Sequence, residues 1–335
     1  MNMTRLFRQL SHLQPIVIGF AFTLLSLAPP VSSQSHDGSV AADTAFVLKL
    51  AATSAPRDNA SRITDLATYD TELQKQLMAL VNHQSLVNIC RQERLGIAVV
   101  DLSDLDHPRY AGVNDQLMMY AASLPKIAIL LTAFELMEKG RLAKSRQNLD
   151  MLTAMIRHSS NGDASRAIAK VGFANIQRTV MDPRYRLYEP GIGGLWVGKP
   201  YSKAGVWKRE PVKNVVHGAT ARAAARFYYM LERGELVSPR ASAEMKEILS
   251  APALHHKFVK GLESEPGRLT MYRKSGTWRI YHSDSALINH NGHTYIAVAL
   301  AESTRGEAIL RSLIVGIDGL IERLHKASTK HGNGK

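Results

Sequence analysis

Residues 123–134 have the sequence Ser-Leu-Pro-Lys-Ile-Ala-Ile-Leu-Leu-Thr-Ala-Phe, in which a short motif precedes an almost unbroken apolar run. The helical pattern extends from Lys126 to Lys139, and Gly140 is a typical C-terminal helix cap. A helix that is apolar nearly all round is buried. The stretch therefore predicts a buried helix, with Ser123 and Lys126 at its N-terminal end.

Ser123 and Lys126 are three residues apart, which makes their side chains neighbours on a helix surface. A neutral lysine can accept the serine proton, and the positive end of the helix dipole stabilises the negative charge that develops on the oxygen. The pair is a candidate nucleophile and base. By itself the Ser-x-x-Lys pattern is weak, because about one chance match is expected in a chain of this length.

The segments on either side of this helix have the patterns of strands. Two strands are predicted before it, Gly96–Val100 and a second around Arg109–Gly112. Three are predicted near the C-terminus, around Leu269–Gly276, Ile280–Ile288 and Thr294–Ala301, and Asn291-Gly292 predicts a tight turn before the last of them.

The intervening chain is predicted to be mostly helical, with one helix at Ala221–Glu232 that Thr220 would cap. A last helix carries apolar residues at helical spacing from Ile309 to Leu324. This order predicts an α+β fold, in which helices flank one antiparallel five-stranded sheet built from both chain ends. The inserted helical subdomain is expected at about 123–250.

The N-terminus has the parts of a secretory signal peptide, namely Arg5 and Arg8, an apolar run from about Pro15 to Ala28, and small residues near Ser33. We expect a signal peptide at 1–33, a linker at 34–62, and a hydrolase domain at 63–335 that begins with a helix from about Ile63 to Ile89. The apolar run is shorter than a bilayer span requires. The mature protein is expected to be periplasmic or secreted, a monomer without a stable membrane anchor.

The chain is strongly basic, with a formal net charge of +13 and a sequence pI near 9.8. Its Lys and Arg residues are scattered and no nucleic-acid motif accompanies them, so no nucleic-acid partner is predicted. Cys90 is the only cysteine, which excludes a disulfide within the chain and a multi-cysteine zinc site. Cys90 is more typical of a packed side chain than of a nucleophile.

Two further motifs follow the serine. One is Ser159-Ser160-Asn161, and the other is Lys274-Ser275-Gly276-Thr277 on a predicted strand, where glycine leaves room for a substrate along the strand edge. Each has a simpler interpretation as well. Ser159 or Ser160 could cap the following helix, Asn161 could serve a turn, and Lys274 could be a solvated strand residue.

In this order, the three motifs resemble the Ser-x-x-Lys, Ser-Asp-Asn and Lys-Thr-Gly set of class A β-lactamases and penicillin-binding proteins. The resemblance extends from about Gly96 to Leu324 and includes the segments Tyr120-Ala121-Ala122, Thr220-Ala221-Arg222 and Asp284-Ser285-Ala286. The chain departs from the pattern at Ser160, where the family has aspartate. The resemblance implies a β-lactamase-like fold and acyl transfer through a serine.

The resemblance also implies catalytic roles. Ser123 would attack the substrate carbonyl, Lys126 would assist as base, and Ser159 would relay a proton toward the leaving nitrogen. The backbone N–H groups of Ser123 and Thr277 would form the oxyanion hole, where one donor is typically worth roughly 3 kcal/mol.

Substrate binding would fall to four residues. Asn161 would hydrogen-bond the substrate amide, while Lys274 and Ser275 would hold its carboxylate and Thr277 would contribute to the oxyanion hole. The expected substrate is a small β-lactam or a peptidoglycan-like peptide. No cofactor is expected, and the sequence predicts no metal site, because the histidines lack a recognisable zinc-ligand arrangement and are expected at the surface or in strands.

Removal of the acyl group is a separate question. In class A enzymes a glutamate in an Arg-x-Glu-x-x-x-Asn loop activates the hydrolytic water. Here the matching loop contains Arg186 and Glu189, with Gly193 at the asparagine position. Glu189 is either that base or an ordinary loop carboxylate. The alternatives to a β-lactamase are therefore a D-Ala-D-Ala peptidase or esterase of the penicillin-binding type, and a non-catalytic envelope-binding protein.

Overall fold

The computed structural model describes residue 66, residues 68–202 and residues 205–332. The expected signal peptide and linker lie outside these residues. The described chain forms the predicted α+β fold around an antiparallel five-stranded sheet. In chain order, the strands are β1 (Leu95–Asp101), β2 (Arg109–Val113), β3 (Met119–Tyr120), β4 (Tyr188–Glu189), β5 (Gly193–Gly194), β6 (Trp196–Val197), β7 (His217–Ala219), β8 (Leu269–Trp278), β9 (Tyr281–His290) and β10 (His293–Glu302).

The five-stranded sheet has the order β2-β1-β10-β9-β8, so strands from the two ends of the described chain lie side by side. The predicted turn at Asn291-Gly292 is present and connects β9 to β10, where His290 pairs with His293. Both of its residues have positive φ, which asparagine and glycine tolerate best. Strand β8 lies at one edge of the sheet.

Ten helices occupy the described residues. They are α1 (Thr71–His83), α2 (Val87–Arg91), α3 (Lys126–Glu138), α4 (Arg146–Arg157), α5 (Asn161–Val171), α6 (Phe173–Val180), α7 (Ala221–Glu232), α8 (Pro239–Leu249), α9 (Phe258–Leu262) and α10 (Gly306–Gly332). The predictions for α3 and α7 are confirmed, and the side chain of Thr220 caps α7 by accepting a hydrogen bond from the Ala223 backbone N–H at 3.2 Å.

The prediction of one continuous helix from Ile63 to Ile89 is wrong over the described residues. Helix α1 begins at Thr71, because the Asp70 carboxylate caps it by accepting a hydrogen bond from the Leu73 N–H at 2.8 Å. It ends at His83, and Ser85 has a φ of 57°, outside the right-handed helical region. The chain then forms the short helix α2.

Helices cover both faces of the sheet, and β1 is therefore buried along its whole length. Ala98 and Val100 point into a core shared with α3 and α7. Ile97 and Val99 point to the opposite face, into a core shared with α1 and α10. The predicted apolar stripe of the last helix supplies buried side chains to this second core.

The inserted subdomain at about 123–250 was expected to be mostly helical. It contains helices α3 to α8, but also the two-stranded pair of β4 and β5, and strands β6 and β7, which join β3 in a three-stranded sheet of order β3-β7-β6. These strands are two or three residues long, too short for an alternating pattern to be visible in the sequence. Glu189 lies on one of these strands, β4, where it pairs with Gly193 of β5. None of the helices within the described residues is both long enough and apolar enough to cross a membrane.

Candidate active site

Ser123 lies in the turn directly before α3, and Lys126 is the first residue of that helix. The turn is closed by a 3.3 Å hydrogen bond from the Lys126 backbone N–H to the Ser123 carbonyl oxygen. Ala122, which precedes the serine, has a φ of 51°, a strained value for a residue with a Cβ. The turn places a half-buried Ser123 side chain at the N-terminus of a buried helix.

Strand β8 packs directly against this turn through Gly276. A Cβ atom on Gly276 would lie 2.6 Å from the Ser123 backbone nitrogen and would also collide with the Ala121 carbonyl oxygen. The hydroxyl of Ser283, on β9, donates to that carbonyl at 2.8 Å. Glycine is therefore required for the predicted Lys-Ser-Gly-Thr strand to lie beside the Ser123 backbone.

The Lys126 ammonium group is fully buried and lies at the predicted second motif. Its Nζ donates to the Ser159 carbonyl oxygen at 2.7 Å and to Asn161 Oδ1 at 2.9 Å, and it lies 3.4 Å from Ser159 Oγ. Burial without a carboxylate partner lowers the Lys126 pKa to about 7. A large neutral fraction is therefore present near neutral pH, as a lysine base requires.

Ser159 connects the second and third motifs. Its Oγ accepts a hydrogen bond from Lys274 Nζ at 2.9 Å, so two lysine side chains converge on one hydroxyl. Lys274 is only 2% exposed, and the interpretation as a solvated strand residue is therefore wrong. Burial, and then the charge of Lys126, hold the Lys274 pKa well below its ordinary value.

Ser160 has a structural role, separate from the lysine contacts of Ser159. Its Oγ accepts a hydrogen bond from the Asp163 backbone N–H at 3.2 Å and donates to the Asp163 carboxylate at 2.6 Å, which makes it the N-cap of α5. The capping interpretation is thus confirmed for Ser160. Ser159 stands outside the helix with a φ of 54°, and this conformation directs its hydroxyl toward the two lysines.

Ser275 and Thr277 contact residues that the sequence did not single out. Ser275 Oγ lies 3.4 Å from Nε2 of His256, and burial lowers the pKa of this histidine to about 4. The Thr277 hydroxyl accepts a 2.7 Å hydrogen bond from Lys257. The expectation that the histidines lie at the surface or in strands missed His256, which is half-buried before α9 and has no motif around it.

Glu189 lies on β4 with its side chain 33% exposed, and two arginines hold its carboxylate. Its oxygens are 3.1 Å from Arg186 and 3.5 Å from Arg226. Among the described residues, no hydrogen bond joins Glu189 to Ser123 or Lys126. The structure thus brings seven of the eight predicted site residues together around α3 and β8, and it gives Glu189 partners of its own.

Tyr201 was also missed, and its ring lies over the side chain of Lys126. Its ring centre is 4.5 Å from Lys126 Nζ, its hydroxyl donates to the Ala122 carbonyl oxygen at 3.2 Å, and the ring stacks on His217 at 4.0 Å. Burial lowers the His217 pKa to about 3, so this imidazole is neutral. An aromatic ring therefore covers one side of Lys126. The loop around Tyr201 carries no sequence signal for this packing.

Burial bears on the remaining candidate nucleophile, Cys90. Cys90 is buried in the core shared with α1, and burial raises its pKa to about 12, which makes the thiol unreactive at neutral pH. Over the described part of the chain, no three His, Cys, Asp or Glu side chains come together as a metal site.

Comparison with known proteins agrees with the β-lactamase-like fold expected from the three motifs. A family model described as the β-lactamase enzyme family matches residues 72–166 and 147–317. No curated protein matches the sequence.

Among solved structures, one is a mutant of PBP-A in an acyl-enzyme complex with penicillin G. It is 19% identical, with a TM-score of 0.57 over 76% of this chain and 97% of that one. A β-lactamase from Sphaerobacter thermophilus is 14% identical, with a TM-score of 0.58 over 72% of this chain and 95% of that one. A class A β-lactamase from Bacteroides cellulosilyticus is 17% identical, with a TM-score of 0.54 over 74% and 96%. These likenesses establish the fold.

Proposed function

The chain belongs to the β-lactamase enzyme family, and from this premise we propose that it opens β-lactam or related amide bonds through an acyl-enzyme on Ser123. The observation that carries the proposal is the convergence of Lys126 and Lys274 on Ser159 Oγ, at 3.4 Å and 2.9 Å, beside the serine turn. This arrangement is suited to take a proton from the Ser123 hydroxyl and to deliver one through Ser159 to the leaving nitrogen of the substrate.

In the acylation step, neutral Lys126 takes the Ser123 hydroxyl proton and the serine oxygen bonds to the substrate carbonyl carbon. The carbonyl oxygen becomes an oxyanion held by the backbone N–H groups of Ser123 and Thr277. The carbon–nitrogen bond then breaks, and the leaving nitrogen receives a proton through the Ser159 hydroxyl. The serine proton therefore ends on the substrate amine, and Lys126 is neutral again.

Substrate recognition follows from the same residues. The Lys274 amine and the Ser275 hydroxyl can donate hydrogen bonds to a substrate carboxylate, and such bonds are strong because the acceptor is charged. The Asn161 side-chain oxygen accepts a hydrogen bond from Lys126. The side-chain nitrogen of Asn161 is therefore left to donate to a substrate carbonyl. β-Lactams and peptides that end in a carboxylate share these features.

We infer that the acyl-enzyme is long-lived, as in a penicillin-binding protein. Glu189 is held by Arg186 and Arg226, and the Tyr201 ring covers Lys126. A general base must come within hydrogen-bond reach of the water that it activates. The arginine contacts of Glu189 and the Tyr201 ring over Lys126 both disfavour a carboxylate-activated water beside the acyl ester. Acylation of Ser123 is therefore expected to be faster than hydrolysis of the acyl-enzyme.

Time-resolved intact mass spectrometry with benzylpenicillin tests both steps. A mass gain of one penicillin that Ser123→Ala abolishes supports the acyl-enzyme, and slow loss of the adduct supports the penicillin-binding type. Absence of any adduct would contradict the proposal and favour a non-catalytic envelope-binding protein. Rapid clearance would identify a β-lactamase with an efficient hydrolytic step.

We also propose export to the periplasm or medium with cleavage near Ser33, based on the N-terminal pattern, and a monomeric mature protein. N-terminal sequencing and the molar mass of the secreted product test these points. An uncleaved N-terminus in the cell pellet, or the mass of a dimer, would contradict them.

A further inference from the structure

Lys257 is a fully buried lysine directly before α9. Its Nζ donates to the Gly276 carbonyl oxygen at 2.6 Å, to Thr277 Oγ1 at 2.7 Å and to the Ser283 carbonyl oxygen at 3.1 Å. All three acceptors are uncharged. Within the described residues, no carboxylate lies at ion-pair distance from it.

Packing alone does not explain this lysine. Burying an ammonium group without a carboxylate partner is costly, and an apolar side chain of similar size would fill the space without that cost. Lys257 also has φ 52° and ψ −114°, a backbone conformation strained for any residue with a Cβ. Strain that the surrounding structure maintains clusters at functional sites. Both observations point to a functional reason for a cation here.

The functional reason is the position of the Lys257 ammonium group beside the Gly276–Thr277 peptide unit. The peptide unit between Gly276 and Thr277 is planar and trans, so its carbonyl and its N–H point in opposite directions. Lys257 binds the carbonyl end of this unit. The N–H at the other end is the Thr277 donor of the oxyanion hole.

We propose that Lys257 is a positioning residue that polarises the Gly276–Thr277 peptide, so that the Thr277 N–H binds the oxyanion of the transition state more strongly. This inference rests on the proposed function. Hydrogen bonding at a carbonyl oxygen draws electron density from the attached N–H, and linked hydrogen bonds strengthen one another in this way. The additional bond to Thr277 Oγ1 fixes the orientation of the same residue.

The charge on Lys257 is set by its surroundings. Burial is the largest effect and lowers its pKa to about 8. The charged or titratable side chains that interact with it are Asp284, Arg273, Glu307, His256, His282 and Lys274. The ammonium form is thus dominant at pH 7 and is lost as the pH rises through about 8.

Lys257→Met removes the charge and the donors and keeps an unbranched chain. We expect the rate constant for Ser123 acylation at saturating penicillin to fall about 10- to 100-fold, a part of what a whole oxyanion donor contributes. The half-saturating concentration should change little, because the oxyanion exists only in the transition state. Lys257→Arg should recover part of the rate. Lys260→Met is the matched control, since Lys260 is an exposed lysine on α9 paired with Glu263.

A second measurement needs no variant. The infrared stretch of the isotope-labelled acyl carbonyl on Ser123 reports the strength of the oxyanion hole. In the wild-type protein it should move to higher frequency as the pH rises through about 8, and in Lys257→Met it should be high at every pH. A pH-independent frequency in the wild type, or the same shift in Lys257→Met, would overturn the inference.

The two proposals fail differently. If the wild-type protein forms no adduct with penicillin, the acyl-enzyme proposal is wrong and this inference fails with it. If the wild type acylates and Lys257→Met acylates at the same rate, only the role of Lys257 is wrong. A loss of rate in Lys260→Met equal to that in Lys257→Met would also overturn it, because the effect would then not depend on the buried ammonium.

Discussion

Lys274 Nζ lies 2.9 Å from Ser159 Oγ, although the two residues are 115 positions apart in the chain. Lys274 comes from the edge strand β8 and Ser159 from the turn before α5. The contact therefore joins the five-stranded sheet to the helical segment. Substitutions at and around this contact separate the roles of its residues.

Ser159→Ala should slow acylation of Ser123 by about 10²- to 10⁴-fold, the usual range for loss of a proton-transfer group. Ser160→Ala is the matched control, because Ser160 caps α5 instead. It should lower the free energy of unfolding by about 1 kcal/mol and leave the acylation rate near that of the wild type. Stopped acylation reactions analysed by mass spectrometry give both rates. Equal losses in the two variants would contradict separate roles.

The acylation rate should rise with pH through about 7, the pKa of Lys126. Only the neutral amine accepts the serine proton, so below that pKa the rate should fall about tenfold for each pH unit. A pH–rate profile of acylation under single-turnover conditions checks this. Lys126→Arg should be inactive across the profile, since a guanidinium group stays protonated. A flat acidic limb in the wild type would exclude Lys126 as the base.

Glu189→Gln should change the deacylation rate by less than about twofold, whereas loss of a true general base costs about 10²- to 10⁴-fold. The reason is that its carboxylate binds Arg186 and Arg226. Glu235→Gln, at another arginine-paired carboxylate, is the control for loss of an ion pair. Decay of the penicilloyl adduct measures the effect. A hundredfold slower decay in Glu189→Gln alone would identify Glu189 as the water-activating base.

Arg273→Met should destabilise the protein by about 3–5 kcal/mol, because it leaves the fully buried Asp284 carboxylate without its partner. Arg273 also donates to the carbonyl oxygens of Leu254 and His256, so the segment before α9 loses its anchor. Urea unfolding measures the change.

Two variants complete that experiment. Arg273→Met combined with Asp284→Leu should recover most of the loss, because no buried charge is then unpaired. Arg146→Met breaks an ion pair whose side chains are 94% and 70% exposed, and it should cost less than about 1 kcal/mol. A cost for Arg273→Met similar to that of Arg146→Met would show that the buried pair is not stabilising.

The sequence by itself determined the elements whose signals are local. The apolar run after Ser123 specified the buried helix α3, Asn291-Gly292 specified a hairpin turn, and the spacing of Leu310 and Leu313 specified the last helix. The prediction of secondary structure was wrong where a local signal was overridden by packing or was absent. The periodicity after Ile63 continued past the point where α1 ends, and strands of two residues have no periodicity at all.

Only the tertiary structure decided which groups meet. The sequence identified Ser159 and Lys274 as members of motifs, but the contact between them joins residues that are 115 positions apart in the chain. Lys257 and Tyr201 stand in no motif, and they enter the site because loop packing brings their side chains to Gly276 and Lys126. The pKa of Lys126 is likewise a tertiary property, because it depends on burial. The motifs identified the candidate residues, and the packing around them lowers the pKa values of Lys126 and Lys274.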